Sequence, residues 1–295
     1  LVAVFPSLIF VAARITNDVL YQFLGVLFLA LLVRWWQKPE WKIWYALAAL
    51  TGICLITKVS ATAFLPALFL ILLCRSKIQW RSKILHGIAG LLVITLISGW
   101  LPVLRLYVEE DTSRTLSLGN QGMNGGLTLS NAPEHFLTFN PLEVLRHPYN
   151  NPWDDAYRRQ YFWEYFYRSA FTGEFSFNDR LRDLNKLILL TGMCAAALLL
   201  YGCIMEIVRS PKKTFPLWLM LMLLIAASLS YRFRFAYSAN QDFRFVVMAV
   251  IPLSYFAVRG ALSLPMFLRP LGKTLLLFFS VSCALFFTGL AFFPS

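Results

Sequence analysis

Asp18, Lys58 and Arg244 each stand where a polar stretch gives way to an apolar one. Asp18 follows Asn17, with Arg14 close by, and Lys58 sits in a short turn between two apolar runs. Arg244, two residues after Asp242, opens a third run, while Arg232 and Arg234 close the run before it. These residue types suit transfer of a group from a phosphate ester. A carboxylate near the reacting carbon takes the acceptor's proton. Arginine forks and lysine ammonium groups hold the leaving phosphate, and a divalent metal could do the same work. Each position also has a plainer reading. Asn17 or Asp18 can cap the helix that follows, Lys58 can snorkel to a membrane boundary, and arginines beside Tyr231, Phe233 and Phe235 fit an aromatic belt.

The elements that carry these residues are membrane segments. Of the 295 residues, 58% are hydrophobic and 14% charged, against roughly a quarter charged in soluble domains. Apolar runs at 1–13, 19–36, 43–57, 60–74, 84–108, 185–208, 215–231, 244–258 and 274–293 predict an all-α polytopic bundle of about nine segments, some short enough to be tilted, re-entrant or enclosed. The chain begins at Leu1, and its first run is shorter than the roughly 20 residues of a span. The expectation is a chain that lacks its true N-terminus.

The residues divide into N-terminal helices over 1–108, one polar stretch over 109–184 and C-terminal helices over 185–295. If each run crosses once, the short loops on one side hold thirteen of the 27 basic residues and two of the 15 acidic ones. The positive-inside rule makes that side cytoplasmic. The net charge of +12 therefore reflects topology and gives no support to nucleic-acid binding. Asp18, Lys58, the polar stretch and the arginines near 240 fall on the opposite, external side. Ionisable groups at membrane depth cost about 2.5–3.5 kcal/mol each, so such a gathering points to function.

Within the polar stretch, "SLGNQGMNGGLTLSNAP" over 117–133 reads as flexible turns, either a lid over an acceptor site or a linker. "WDDAYRRQYFWEYFYRSAF" over 153–171 predicts an interfacial helix anchored by Trp153, Tyr161, Trp163 and Tyr167. Asp154 and Asp155 could help hold an acceptor or a metal, and could equally begin a helix. His135 and His147 make no recognisable metal site with nearby acids. The five cysteines all fall in apolar runs and read as packing residues.

"RITND" leading into an apolar helix, "LTGICLITKVSATAFLP" after it, the external "NPWDDAYRRQYFWEYFYRSAFTGEF" and the late "NQDFRFVVMAVIP" together resemble the polyprenyl-phosphate-sugar-dependent glycosyltransferases of the protein mannosyltransferase and lipid A aminoarabinose transferase type. The resemblance implies a C-type glycosyltransferase bundle with one large external loop, a polyprenyl-phosphate sugar as donor, and a glycan, lipid or protein acceptor. It also implies work on the non-cytoplasmic face of a bacterial inner membrane, and a main catalytic carboxylate that falls before Leu1. On that reading Asp18 is the catalytic candidate of this chain, with Arg14, Asn17 and Asp242 in support. Lys58, Arg232, Arg234 and Arg244 bind the donor phosphate, and Asp154 and Asp155 face the acceptor. A transporter would show repeat symmetry and polar or broken helices at mid-membrane. A structural subunit would tolerate alanine at these positions.

Overall fold

The structure is a computed structural model that describes residues 1–12, 17–101, 103–104, 126–173 and 176–292. Arg14, the boundary at residue 109 and residues 117–125 of the glycine-rich stretch 117–133 lie outside the described residues. The described chain is an all-α polytopic membrane protein. Among the described residues six helices are long and apolar enough to cross a bilayer: Asn17–Gln37, Trp80–Ser98, Asp179–Arg209, Pro211–Arg234, Ser238–Ser263 and Arg269–Leu290.

Two of the other expected segments, Trp41–Thr57 and Ser60–Cys74, are shorter apolar helices. The run 1–13 is a 3₁₀ turn, Val2–Val4, followed by helix α1, Pro6–Ala12. At 1.5 Å per residue a seven-residue helix is about 10 Å long, a third of a hydrocarbon core. The chain divides into two compact units, one made of Leu1–Arg14, Asn124–Lys212 and Ser228–Ser295, the other of Ile15–Met123 and Lys213–Ala227.

The second unit is built on α2 (Asn17–Gln37), α3 (Trp41–Thr57), α4 (Phe64–Cys74) and α5 (Trp80–Ser98). Its core is aromatic: the Phe28 and Phe64 rings stack at 4.4 Å, Tyr21 stacks on Phe64 at 5.8 Å, and Trp35 meets Trp44 at 5.4 Å. Lipid tails are as apolar as leucine, so helices associate here through close fit and hydrogen bonds. Gly90 of α5 makes room for the Trp44 ring, whose Nε1 donates to His86 O at 2.9 Å. Gly52 of α3 admits Ile97 in the same way. The outer faces keep residues such as Phe23, Leu85 and Leu96 exposed, as a lipid solvent requires.

In the other unit, α8 (Phe162–Thr172), α9 (Arg182–Arg209), α11 (Val250–Ser263) and α12 (Arg269–Phe292) surround the start of the chain. Phe5 lies between the rings of Phe171, Phe243 and Phe279, and the Ser7 hydroxyl donates to Ala170 O. Numbering in chain order, α6 is Glu134–Leu137, α7 Pro141–Arg146 and α10 Pro211–Arg234.

The aromatic helix expected over 153–171 is shorter and plays a different part. It is helical only over Phe162–Thr172, and eight of its eleven residues are buried. Trp163 Nε1 donates to Phe136 O and Tyr167 Oη to Leu189 O. Of the four expected anchors only Trp153 is largely exposed. All-round aromatic composition at helical spacing fits enclosure as well as it fits an interface, and contacts with α6 and α9 decide between them. All five cysteines are free thiols, with Cys54, Cys203 and Cys283 buried.

The tightest packing in that unit is between α9 and α11. A Cβ on Gly202 would lie 1.9 Å from Phe256 O, and one on Gly260 1.8 Å from Leu198 O. One turn along, the buried Glu206 accepts from Arg259 Nε at 2.5 Å. Replacing Gly202 with leucine is expected to cost at least about 3 kcal/mol, read as loss of folded protein or a large drop in Tm in detergent. Gly126→Ala is not a matched control because its φ is +78°. Gly87→Ala, where the new Cβ would have ordinary contacts at 3.6 Å and beyond, should leave Tm nearly unchanged.

Candidate functional site

The candidate residues fall into two groups, one in each unit. In the first, Asp18 occupies the first turn of α2, where the helix dipole favours a negative charge. Lys58 is the C-cap of α3 with an extended backbone, its N–H donating to Cys54 O. The Lys58 ammonium contacts the Asp18 carboxylate, and the two side chains are only 13% and 21% exposed. Asn17 Nδ2 reaches Thr57 O at 3.4 Å, tying the start of α2 to the end of α3. Beneath the pair the buried Tyr21 ring lies 5.6 Å from Lys58 Nζ. Two residues forty apart in sequence thus form one charge pair, because α2 and α3 are antiparallel neighbours joined by a short turn.

The second group surrounds the entry to α11. The span Ser238–Ser263 is not one regular helix: it enters through 3₁₀ turns at Ser238–Gln241 and Phe243–Ala249, broken at Val246. Asp242 is the N-cap of the second turn, accepting from Arg244 N at 2.8 Å. Its other carboxylate oxygen stands 3.9 Å from Arg244 Nε. Asp242 is buried, while the Arg244 side chain remains 29% exposed. Arg234, at the end of α10, is exposed with its guanidinium 5.4 Å from the Phe235 ring.

Arg232 is in a different situation. It is fully buried, donating to Asn131 Oδ1 at 2.7 Å and Ser130 O at 3.1 Å. Asn131 in turn donates to Phe233 O, and Leu129 N to Ala236 O. The arginine therefore ties the polar loop to the end of α10, a role the sequence expectation of a phosphate ligand did not include. Asp154 caps the turn Asp155–Tyr157 through Ala156 N, and Asp155 pairs with Arg159 at 2.6 Å. Both acids are used in the local structure of the loop.

Several residues outside the candidate set hold the Arg244 lip in place. Gln241 Nε2 donates to Arg159 O at 2.7 Å, Ser238 Oγ to Pro152 O at 2.7 Å, and Phe243 N to Ser169 Oγ at 2.9 Å. Behind them lies a second charged layer. Arg158, in a left-handed conformation with φ 56°, bonds both oxygens of the fully buried Glu164 at 2.7 Å. Glu164 holds the Arg158 guanidinium above its usual pKa by hydrogen bonding. Arg168 is fully buried, donating to His147 O and Tyr157 O, and burial pushes it down to about 10. Gln241 lies in the quoted lip motif, but no pattern in the sequence marks Ser169. The charges inside an otherwise aromatic stretch were the one available signal for Arg158, Glu164 and Arg168.

Among the described residues, no three His, Cys, Asp or Glu side chains gather in a way that could hold a metal ion. His135 Nδ1 contacts Ser130, and His147 approaches Glu143 at 3.8 Å.

Residues 1–102 match the family model described as dolichyl-phosphate-mannose-protein mannosyltransferase. That portion contains both Asp18 and Lys58. Comparison with curated proteins and comparison with solved structures each return no match.

Burial separates the two arginines of the α10 end. Arg232→Ala is expected to destabilise by about 1.5–3 kcal/mol, through loss of charged hydrogen bonds to the loop and orphaned acceptors at Asn131 and Ser130. Arg234→Ala should stay within about 0.5 kcal/mol of the parent. Thermal unfolding of the two variants in one detergent checks the difference.

Proposed function

We propose that this chain belongs to a membrane glycosyltransferase that moves a sugar from a polyprenyl-phosphate donor to an acceptor hydroxyl. The observation that carries this reading is the family match over residues 1–102, a portion whose most distinctive charged feature is the Asp18–Lys58 pair. The donor we propose is a polyprenyl-phosphate hexose. The side of action is the non-cytoplasmic face, as the distribution of basic loops suggests, and a bacterial inner membrane fits the same reading.

In the reaction the acceptor oxygen bonds to the anomeric carbon and the carbon–oxygen bond to the lipid phosphate breaks. The electron pair leaves with the phosphate, and the acceptor's proton passes to a base. Lys58 is suited to the departing phosphate as a compact charge. A carboxylate in contact with an ammonium is a weak base. A phosphate that draws Lys58 away would leave Asp18 freer to accept a proton or to orient the acceptor hydroxyl. The Asp18–Lys58 pairing thus links donor binding to readiness of the carboxylate. Arg244 is assigned an anion-binding role on its own chemistry: a half-buried fork held at a helix entry by a buried N-cap carboxylate.

Sugar transfer from a panel of radiolabelled polyprenyl-phosphate sugars to endogenous membrane acceptors, by the protein together with any residues that precede Leu1, tests this reading. Asp18→Asn should lower transfer about 10²–10⁴-fold if Asp18 is the base, with Tm reporting any loss of its ion pair. Lys58→Gln and Arg244→Gln should each lower it roughly tenfold to a hundredfold, the worth of a charge-assisted bond. Full activity in all three would reduce these residues to caps and anchors, and absence of transfer from every donor would overturn the proposed function.

A further inference from the structure

The α4–α5 hairpin of the second unit carries a feature that catalysis does not use. Its two helices leave between them an open groove of ≈ 260 Å³. Leu72 and Leu73 of α4 and Trp80, Ile84 and Leu91 of α5 line it, and its one charged lining residue is Lys83. The Lys83 ammonium is turned inward, donating to Leu73 O at 2.6 Å, so it satisfies a terminal carbonyl of α4 and stands at the groove's end. Trp80 is 61% exposed there, as a ring at a lipid headgroup boundary would be.

The connecting turn adds Arg75 and Lys77, the first turn of α5 adds Arg81, and no Asp or Glu occurs anywhere between residues 41 and 108. Lys77 and Arg81 are exposed, and Arg75 leans its guanidinium over the Trp36 ring at 5.1 Å. A trough that is apolar but for Lys83 therefore leads toward a helix end whose cations, Arg75, Lys77 and Arg81, have no acid from their own stretch of chain. A neutral lipid tail would fill the trough and leave the cations without counter-charge, and a free anion would leave the trough empty. We infer that the α4–α5 groove is a docking site for an anionic phospholipid, with an acyl chain along Leu72, Ile84 and Leu91 and the phosphate against Lys77 and Arg81. Basic pockets at the mouth of an inter-helix groove favour anionic headgroups over zwitterionic ones. The inference does not depend on the proposed activity.

The test uses purified protein in detergent with added phosphatidylglycerol or phosphatidylcholine of the same chains, retained lipid being counted by native mass spectrometry and Tm read in parallel. The parent should retain phosphatidylglycerol preferentially and gain Tm from it. The double variant Lys77→Gln/Arg81→Gln should weaken that retention roughly tenfold to thirtyfold. Arg269→Gln/Lys273→Gln, which removes the same charge from exposed positions elsewhere, should not. Gly87→Leu fills the trough from a position where the new Cβ would lie 3.6 Å from Leu72 Cδ2 without a clash, and should lower retention of both lipids. Equal retention of the two lipids by the parent would overturn the site, as would equal effects of the two double variants or an unaffected Gly87→Leu. Displacement of lipid by glycerol phosphate as readily as by short-chain phosphatidylglycerol would also overturn it, in favour of a free-anion site.

Discussion

The backbone contact of Gly202 with Gly260 is the constraint on which the larger unit depends. In lipid there is no hydrophobic drive to bring two helices together. A crossing this close supplies dispersion contacts, and the Glu206–Arg259 pair one turn away adds a charged hydrogen bond. With α11 fixed against α9, the chain entering α11 has little freedom in where it begins. It enters through 3₁₀ turns with a break at Val246. Asp242 then caps the turn and sets the direction of Arg244.

Fixing the lip from the other side takes the described part of the polar loop, residues 126–173, which is packed rather than a tether. Buried charges dominate it. Arg168 and the Arg158–Glu164 pair sit where an uncompensated charge would cost several kcal/mol, and each is answered by carbonyls or a carboxylate. Such groups add little net stability over apolar residues of the same size, but they exclude other arrangements of the loop. That exclusion is useful where Ser169 and the Arg159 carbonyl must meet Phe243 N and Gln241 at hydrogen-bond distance. In the second unit the same economy holds at smaller scale: one short turn, one tyrosine ring and one ion pair hold the end of α3 against the start of α2.

Much of this was legible in the sequence because a bilayer imposes simple rules. A segment in hydrocarbon must satisfy its own backbone, so apolar runs become helices, and the helical class with its order of segments follows from hydropathy alone. The Asp18–Lys58 pairing was half legible: both residues stood out by type and place, and their contact needed only that consecutive helices pack side by side. Arg232 and Arg234 could not be told apart. They lie two positions apart at a helix end, and which one turns inward depends on the loop bringing Asn131 to meet it.

What sequence alone determined was therefore the solvent, the helices and the residues able to carry charge at their ends, since each rests on local composition. Tertiary structure decided which of those charges are enclosed and which remain open. It made the aromatic stretch a short buried helix instead of a surface one, and it gave Ser169 and Gln241 their hold on the lip. That hold depends on contacts between segments some 74 and 82 residues apart, and a hydrogen bond across such a separation leaves no periodic trace in the chain that makes it.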